Sequence, residues 1–356
     1  MSLNNFVTLG RSGLRVSPLC LGAMTFGDDW GWGADVKESE TMMSAYLDRG
    51  GNFIDTANIY TNGHSEKIIG DFFKARKGQR DRSVIGTKFY CNLFDGDPNG
   101  GGAGRKAMIA QCEESLRRLQ TDYIDLYWLH NWDIGAPIDE TMRALDDLVR
   151  AGKIRYIAFS DIPAWRTAEA QTIAAFRGWT PIIALQLEYS LLERTSEGEL
   201  FPMAQSMGMG IMPWSPLKRG FLTGKYRRSD SANGPSAIIG RPSEKDFDII
   251  EPLIEVAEEI GKPAAAVALA WALKQPGVAS PIIGARNISQ MLQNLEALDV
   301  DLGDAHIQRL NEVSKPQLNF PYAVNHTMAP ALGFPNTTID GKKIGPSHFL
   351  TNPVRY

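Results

Sequence analysis

Residues 52–90 read NFIDTANIYTNGHSEKIIGDFFKARKGQRDRSVIGTKFY. Two short apolar runs, NFIDT and SVIGTK, flank the segment SEKIIGDFFKAR, whose apolar residues recur at three- and four-residue spacing. The pattern is a strand, an amphipathic helix and a second strand. Working outward, the same alternation continues from about residue 18 to residue 300. Further strand candidates are PLCLGA, YIDLYWL, IRYIAFS, IIALQ, GIMPW and SPIIGA. Helix-like segments lie between them: SETMMSAYLDRG, RKAMIAQCEESLRRLQ, IDETMRALDDLVRAGK and AEAQTIAAFRG. Asp139-Glu140 and Gly152 supply a start and a stop for one of these. Eight strands, each followed by a helix, predict an α/β chain folded as a (β/α)8 TIM barrel, not an open doubly wound sheet. Ahead of them FVTLGRSGLRVS alternates around Gly10–Gly13 and predicts a hairpin cap over residues 5–18 on the barrel floor. The expected division is one barrel domain over 1–315 and a C-terminal tail or lid over 316–356, where Phe320, Tyr322, His326, Met328 and Phe334 sit among prolines. Residues 91–104 and 219–246, long and rich in Gly, Pro or Ser, are expected as lids or substrate loops on the rim.

With 43% hydrophobic residues in 356, the chain can bury a large core. A net charge of −4 and scattered basic residues exclude the field that recruits nucleic acid or an anionic membrane. Cys20, Cys91 and Cys112 are few, odd in number and far apart, which fits a reducing compartment without a disulfide framework. The start, MSLNNFVTLGRSG, has no basic segment followed by a long apolar stretch, and AAAVALAWAL (264–273) is too short to span a bilayer and suits a packed helix. The expectation is a soluble, cytoplasmic protein, with the choice between monomer and homo-oligomer left open. No G-x-G-x-x-G follows a strand, and neither G-x-x-x-x-G-K-[ST] nor Tyr-x-x-x-Lys occurs, which counts against a Rossmann domain or a P-loop. His64, His306, His326 and His348 have no metal-ligand spacing, so no metal is expected.

Four chemically distinct groups stand at or just past the ends of successive apolar runs: Asp55, Tyr60, Lys88 and His130. In a barrel of neighbouring parallel strands they converge on one rim, where such barrels carry their chemistry. A phenol flanked by an ammonium and a carboxylate is a proton donor suited to a carbonyl oxygen. Singly, each has an ordinary explanation: the acid as a helix cap, the tyrosine as packing, the histidine as a satisfied structural residue. Together they point to an enzyme that reduces carbonyl groups.

From the hairpin to about residue 315 the chain resembles the aldo-keto reductase superfamily. The matching stretches are D-T-A-x-x-Y-x-x-G-x-S-E (55–66), G-T-K (86–88), L-H (129–130), W-S-P-L (214–217) and I-I-G-A-R…Q…N (282–294). The resemblance implies reversible reduction of an aldehyde or ketone with NADP(H), held without a Rossmann fold, and a catalytic tetrad of Asp55, Tyr60, Lys88 and His130. Tyr60 would give the proton, with Lys88 stabilising the phenolate, Asp55 keeping Lys88 charged and His130 placing the carbonyl. It further implies that Trp214 stacks on the nicotinamide and that Ser160, Asp161 and Gln186 meet the carboxamide. Ser215, Leu217, Gly220, Leu222 and Lys225 would follow the pyrophosphate. Arg286 would meet the 2′-phosphate beyond Gly284, with Gln290 and Asn294 near the adenine. Two positions depart from the usual pattern: Asp161 where Asn is common, and Gly284-Ala285 where many members have Lys-Ser. A carboxylate can only accept a hydrogen bond, so Asp161 predicts an altered carboxamide contact and tighter binding of the cationic, oxidised cofactor. Arg286 as the main phosphate cation predicts NADPH preferred with NADH usable. Phe26, Trp30, Trp32, Tyr90, Phe94 and Trp132 suggest a pocket for an apolar, bulky or cyclic ketone, with Trp30 and Trp32 forming one wall or packing over a helix. The alternative within the resemblance is a cofactor-binding regulatory subunit like those of potassium channels, for which no membrane anchor or docking motif is evident. A barrel aldolase or isomerase is disfavoured, because Lys88 beside a carboxylate stays charged and is a poor nucleophile.

Overall fold

The computed structural model describes residues 1–229, 240–322, 324–347 and 349, the side chain of residue 327 excepted. Part of the expected loop at 219–246, His348 and the end of the tail therefore lie outside the described residues. The described chain falls into two units, Met1–Ser314 and Lys315–Tyr356.

In the first unit a two-strand hairpin, β1 (Val7–Thr8) and β2 (Arg15–Val16), precedes eight parallel strands. These are β3 (Cys20–Gly22), β4 (Phe53–Asp55), β5 (Val84–Phe89), β6 (Ile124–Leu129), β7 (Ile154–Ser160), β8 (Ile182–Glu188), β9 (Gly210–Trp214) and β10 (Ile282–Gly284). From β3 to β9 each pairs with the next in chain order, and β10 pairs with β3. The ring is completed where Ile211 N donates to Gly277 O at 3.0 Å and Ala279 N donates to Ile211 O at 2.8 Å. Helices alternate with the strands: α1 (Val36–Asp48), α2 (His64–Lys74), α3 (Arg105–Leu119), α4 (Ile138–Arg150), α5 (Ala164–Arg177), α6 (Leu200–Ser206), α7 (Glu244–Glu259), α8 (Ala264–Leu273), α9 (Ile288–Leu295) and α10 (Asp304–Val313). This is the (β/α)8 barrel expected from the alternation.

Period-two alternation sorts each strand into an inner and an outer face. Phe53, Val84, Leu126, Trp128, Ala158, Ala184 and Met212 fill the inside, whereas Ile54, Ile85, Tyr127, Ile157 and Leu185 belong to the layer shared with the helices. The inward phase continues upward through Asp55, Lys88, Ser160, Gln186 and Trp214. Polar groups at the carboxyl ends thus face one space above an apolar floor. Leu9 and Val16 of the hairpin are fully buried in that floor. Gly10 makes the approach possible: at φ +58 a Cβ there would lie 2.1 Å from Ile183 O.

Helix starts follow their sequence signals. Asp35 Oδ1 accepts from Glu38 N at the head of α1, and Ser243 and Asp246 cap α7 reciprocally. Helix α7 thus begins at Glu244, inside the stretch expected as loop to 246. Helix α8, apolar all round, is buried from Ala264 to Ala272, as expected of a packed helix. Among the described residues no helix is long and apolar enough to cross a membrane. The second unit contains a short helix, α11 (Ala329–Gly333), and a hairpin of β11 (Thr338–Ile339) with β12 (Lys342–Lys343).

Candidate active site

Lys88 lies on the inner face of β5, one residue before its end, and is fully buried. Its ammonium donates to the Asp55 carboxylate, to Thr56 O at 2.8 Å and to the Tyr60 hydroxyl at 3.1 Å, so all three of its hydrogens are engaged. The phenol accepts from Lys88 and keeps its own proton to give. Asp55, 2% exposed, takes Gln186 Nε2 on its other oxygen at 3.2 Å. Gly86 leaves room for this arrangement, since a Cβ there would come within 2.9 Å of Trp128 Nε1 and 3.2 Å of Asp55 Oδ1. The His130 ring meets the Tyr60 ring edge-on at 6.0 Å. The structure therefore gathers Asp55, Tyr60, Lys88 and His130 on one rim.

Burial sets the protonation of these groups. It opposes the Lys88 ammonium, but Asp55 and Tyr60 outweigh it, and Lys88 stays charged above the ordinary lysine range. For Tyr60 burial dominates; Lys88 pulls the other way without winning, and the phenol sits above its usual value. The ammonium does favour release of the proton, as the resemblance implies, but burial more than offsets it, and the proton is held more firmly. His130 is pushed down to about 3 by burial and by Lys88, and is neutral.

The rest of the 55–66 stretch braces the tetrad. Thr56 Oγ1 and Ser65 Oγ share a hydrogen bond at 2.8 Å, Ser65 Oγ donates to Ala23 O at 2.7 Å, and Thr61 Oγ1 donates to Phe26 O at 2.9 Å. Thr61 and Asn62 both take positive φ, turning the chain sharply after Tyr60. Glu66, fully buried, accepts from Thr87 Oγ1 at 2.5 Å and pairs with Arg118 Nε at 2.6 Å, tying α2 to β5 and α3. Beyond β5, Tyr90 has φ 113 and its N–H donates to Gln111 Oε1 at 2.9 Å. Asn58 Nδ2 donates to the same oxygen and to Cys91 O.

On the opposite side of the mouth, buried Ser160 ends β7, buried Gln186 stands two residues before the end of β8 and not at its end as expected, and half-buried Trp214 ends β9. Ser215, Lys218, Arg219 and Gly220 take positive φ, and the N–H groups of Lys218, Arg219 and Gly220 donate within this short loop to Ser215 O, Ser215 Oγ and Leu217 O. Arg286 N donates to Gln290 Oε1 at 2.9 Å and Asn294 Nδ2 to Gly284 O at 3.1 Å, which fixes the β10–α9 loop. The exposed Arg286 guanidinium has no side-chain partner among the described residues.

A model of the aldo/keto reductase family matches residues 18–315. The chain belongs to the aldo/keto reductase family. It is 38% identical over 317 residues to the uncharacterized oxidoreductase YrpG of Bacillus subtilis, covering 86% of this chain and 95% of that protein. It is 36% identical to an aryl-alcohol dehydrogenase [NADP(+)] of Phanerodontia chrysosporium, covering 87% and 86%. A norsolorinic acid reductase of Aspergillus flavus is 34% identical, covering 87% and 81%. The protein is thus an oxidoreductase of carbonyl chemistry.

In this aldo/keto reductase two of the expected binding residues offer no side-chain surface. Phe26 is fully buried in the layer between barrel and helices, because its loop folds back through the Phe26–Ala34 bridge. Leu222 is likewise fully buried. Trp30 and Trp32 are half-buried and pair with each other at 5.6 Å. Tyr90 and Trp132 are half-buried against the core, and Phe94 is exposed. Trp132 meets Trp165 edge-on at 5.6 Å. Trp165, more than half exposed at the start of α5, was not among the residues expected at the site. Thr56, Asn58, Glu66, Thr87, Gln111 and Arg118 were also missed as supports. Four of them fall in or beside the quoted motifs; Gln111 and Arg118, on α3, carry no local signal.

Proposed function

We propose that this aldo/keto reductase reversibly reduces an aldehyde or ketone carried on an aromatic or otherwise bulky apolar framework, with NADP(H) as the hydride partner and Tyr60 as proton donor. The observation that carries this reading is the Lys88 ammonium, buried and shared between Asp55 and the Tyr60 hydroxyl. It holds the phenol at a fixed place and leaves its proton free.

The donor set fits the cofactor. Ser160 and Gln186 supply buried polar groups for an amide, and Arg286 is a cation without a protein partner among the described residues. Trp214 offers a ring face at the mouth. When bound, the dihydronicotinamide supplies a hydride, and the protein supplies the rest. His130, neutral, donates to the substrate oxygen and orients the carbonyl. Tyr60 gives its proton to that oxygen as charge develops, and Lys88, kept charged by Asp55, stabilises the phenolate left behind. In the reverse direction the phenolate takes the proton from an alcohol. The relatives named for aryl alcohols and for norsolorinic acid support an aromatic substrate, as do the tryptophans around the rim. No observation favours the regulatory-subunit reading. The free thiols suit a cytoplasmic enzyme.

A panel of aryl aldehydes and ketones, followed by NADPH absorbance, tests the proposal with two variants. Tyr60→Phe should lower turnover by about 10²–10⁴-fold while leaving NADPH affinity unchanged; undiminished turnover would remove Tyr60 from the acid role. Arg286→Ala should weaken NADPH by about ten- to a hundredfold and leave NADH nearly untouched. Equal losses for both nucleotides would show that Arg286 does not read the phosphate.

A further inference from the structure

Asp161 stands one residue past the end of β7 with φ 53, a conformation that asparagine, aspartate and glycine accept more readily than other residues. The turn sends its carboxylate sideways over the mouth. Oδ1 accepts the indole N–H of Trp214 at 3.0 Å, and Oδ2 accepts from Ser160 Oγ at 3.2 Å. Trp214 ends β9, and β8 lies between the two strands, so the contact reaches across two strand spacings, about 9.6 Å. Ser215, just after the indole, also has positive φ, so a residue beside each end of the link is in a costly backbone conformation. Such paired distortions persist where the surrounding structure holds a side chain in one place.

We propose that Asp161 is a positioning residue that locks the indole of Trp214 at the barrel mouth and so fixes the plane against which the nicotinamide rests. The inference deepens the reductase reading and rests on it. It assigns the aspartate at 161 a task besides a direct carboxamide contact: each carboxylate oxygen already accepts a hydrogen bond from the protein. It also explains why an acid serves here, because a charge-assisted acceptor holds an indole N–H more firmly than a neutral one.

The test separates the latch from the cofactor reading. In the nucleotide-free protein, the Trp214 indole N–H resonance is identified among the 8 tryptophans by its loss in Trp214→Phe. It should move in Asp161→Gly, which keeps the backbone conformation, and move little in Asp161→Asn, which keeps an acceptor. An unmoved resonance in Asp161→Gly overturns the latch whatever the enzyme does. With NADPH, Asp161→Gly and Trp214→Phe should each lower affinity about tenfold, and the double variant no further, since both remove one bond. Asp161→Asn should restore most of the affinity. Losses that multiply in the double variant overturn the proposal. If the resonance moves but neither variant alters NADPH binding, the contact exists without positioning the cofactor, and the proposal falls together with the role of Trp214.

Discussion

Tyr60 holds its proton because burial outweighs the neighbouring ammonium, and that balance dictates how the enzyme should respond to pH. Reduction consumes the tyrosine proton, so its rate should be level through the neutral range and fall as pH rises past the raised phenol pKa, above about 10. Oxidation needs the phenolate and should rise over the same interval. His130, pushed down to about 3, should contribute no limb between pH 5 and 8. Profiles of kcat/KM in both directions check this. A limb near pH 6.5 that disappears in His130→Gln would show the imidazole to be charged in the working enzyme. That Asp55, Tyr60, Lys88 and His130 would gather on one rim could be read from their spacing, because each follows a strand-like run. The sense of the Tyr60 shift could not, because it depends on how much protein surrounds the ring.

Among elements, the buried Glu66–Arg118 pair joins α2 to α3, and Thr87 brings β5 into the same bond network one residue from Lys88. Removing one partner leaves an uncompensated buried charge. Arg118→Leu, which strands the fully buried Glu66 carboxylate, should therefore cost about 3–5 kcal/mol in urea unfolding. Replacing both, as Glu66→Met with Arg118→Leu, should recover most of that loss, and failure to recover would mean the pair matters for more than charge balance. The brace also explains which elements the sequence made readable. Strands and the helices of the first five repeats follow local periodicity, and Asp55-to-Glu66 is a contiguous stretch. Helix α7 contains Pro252 and α9 is only eight residues long, which blunts the helical signal. Gln111 lies 53 residues from the Asn58 it supports, and only the fold reveals that contact.

For the whole molecule, the barrel is legible because eight repeats of one pattern leave little choice of architecture. Rim detail is harder to read, since loop side chains are placed by neighbours from other repeats: Phe26 turned into the core, whereas Trp165 came out to meet Trp132. The hairpin wedged beneath the ring has an effect on traffic. With Leu9 and Val16 sealing the lower end and apolar side chains filling the ring, ligands reach only the upper mouth, and whatever settles deepest there must arrive first and depart last. A nucleotide seated beneath its substrate would then leave only after the alcohol has gone, making exit order a property of the architecture and not of either ligand's affinity.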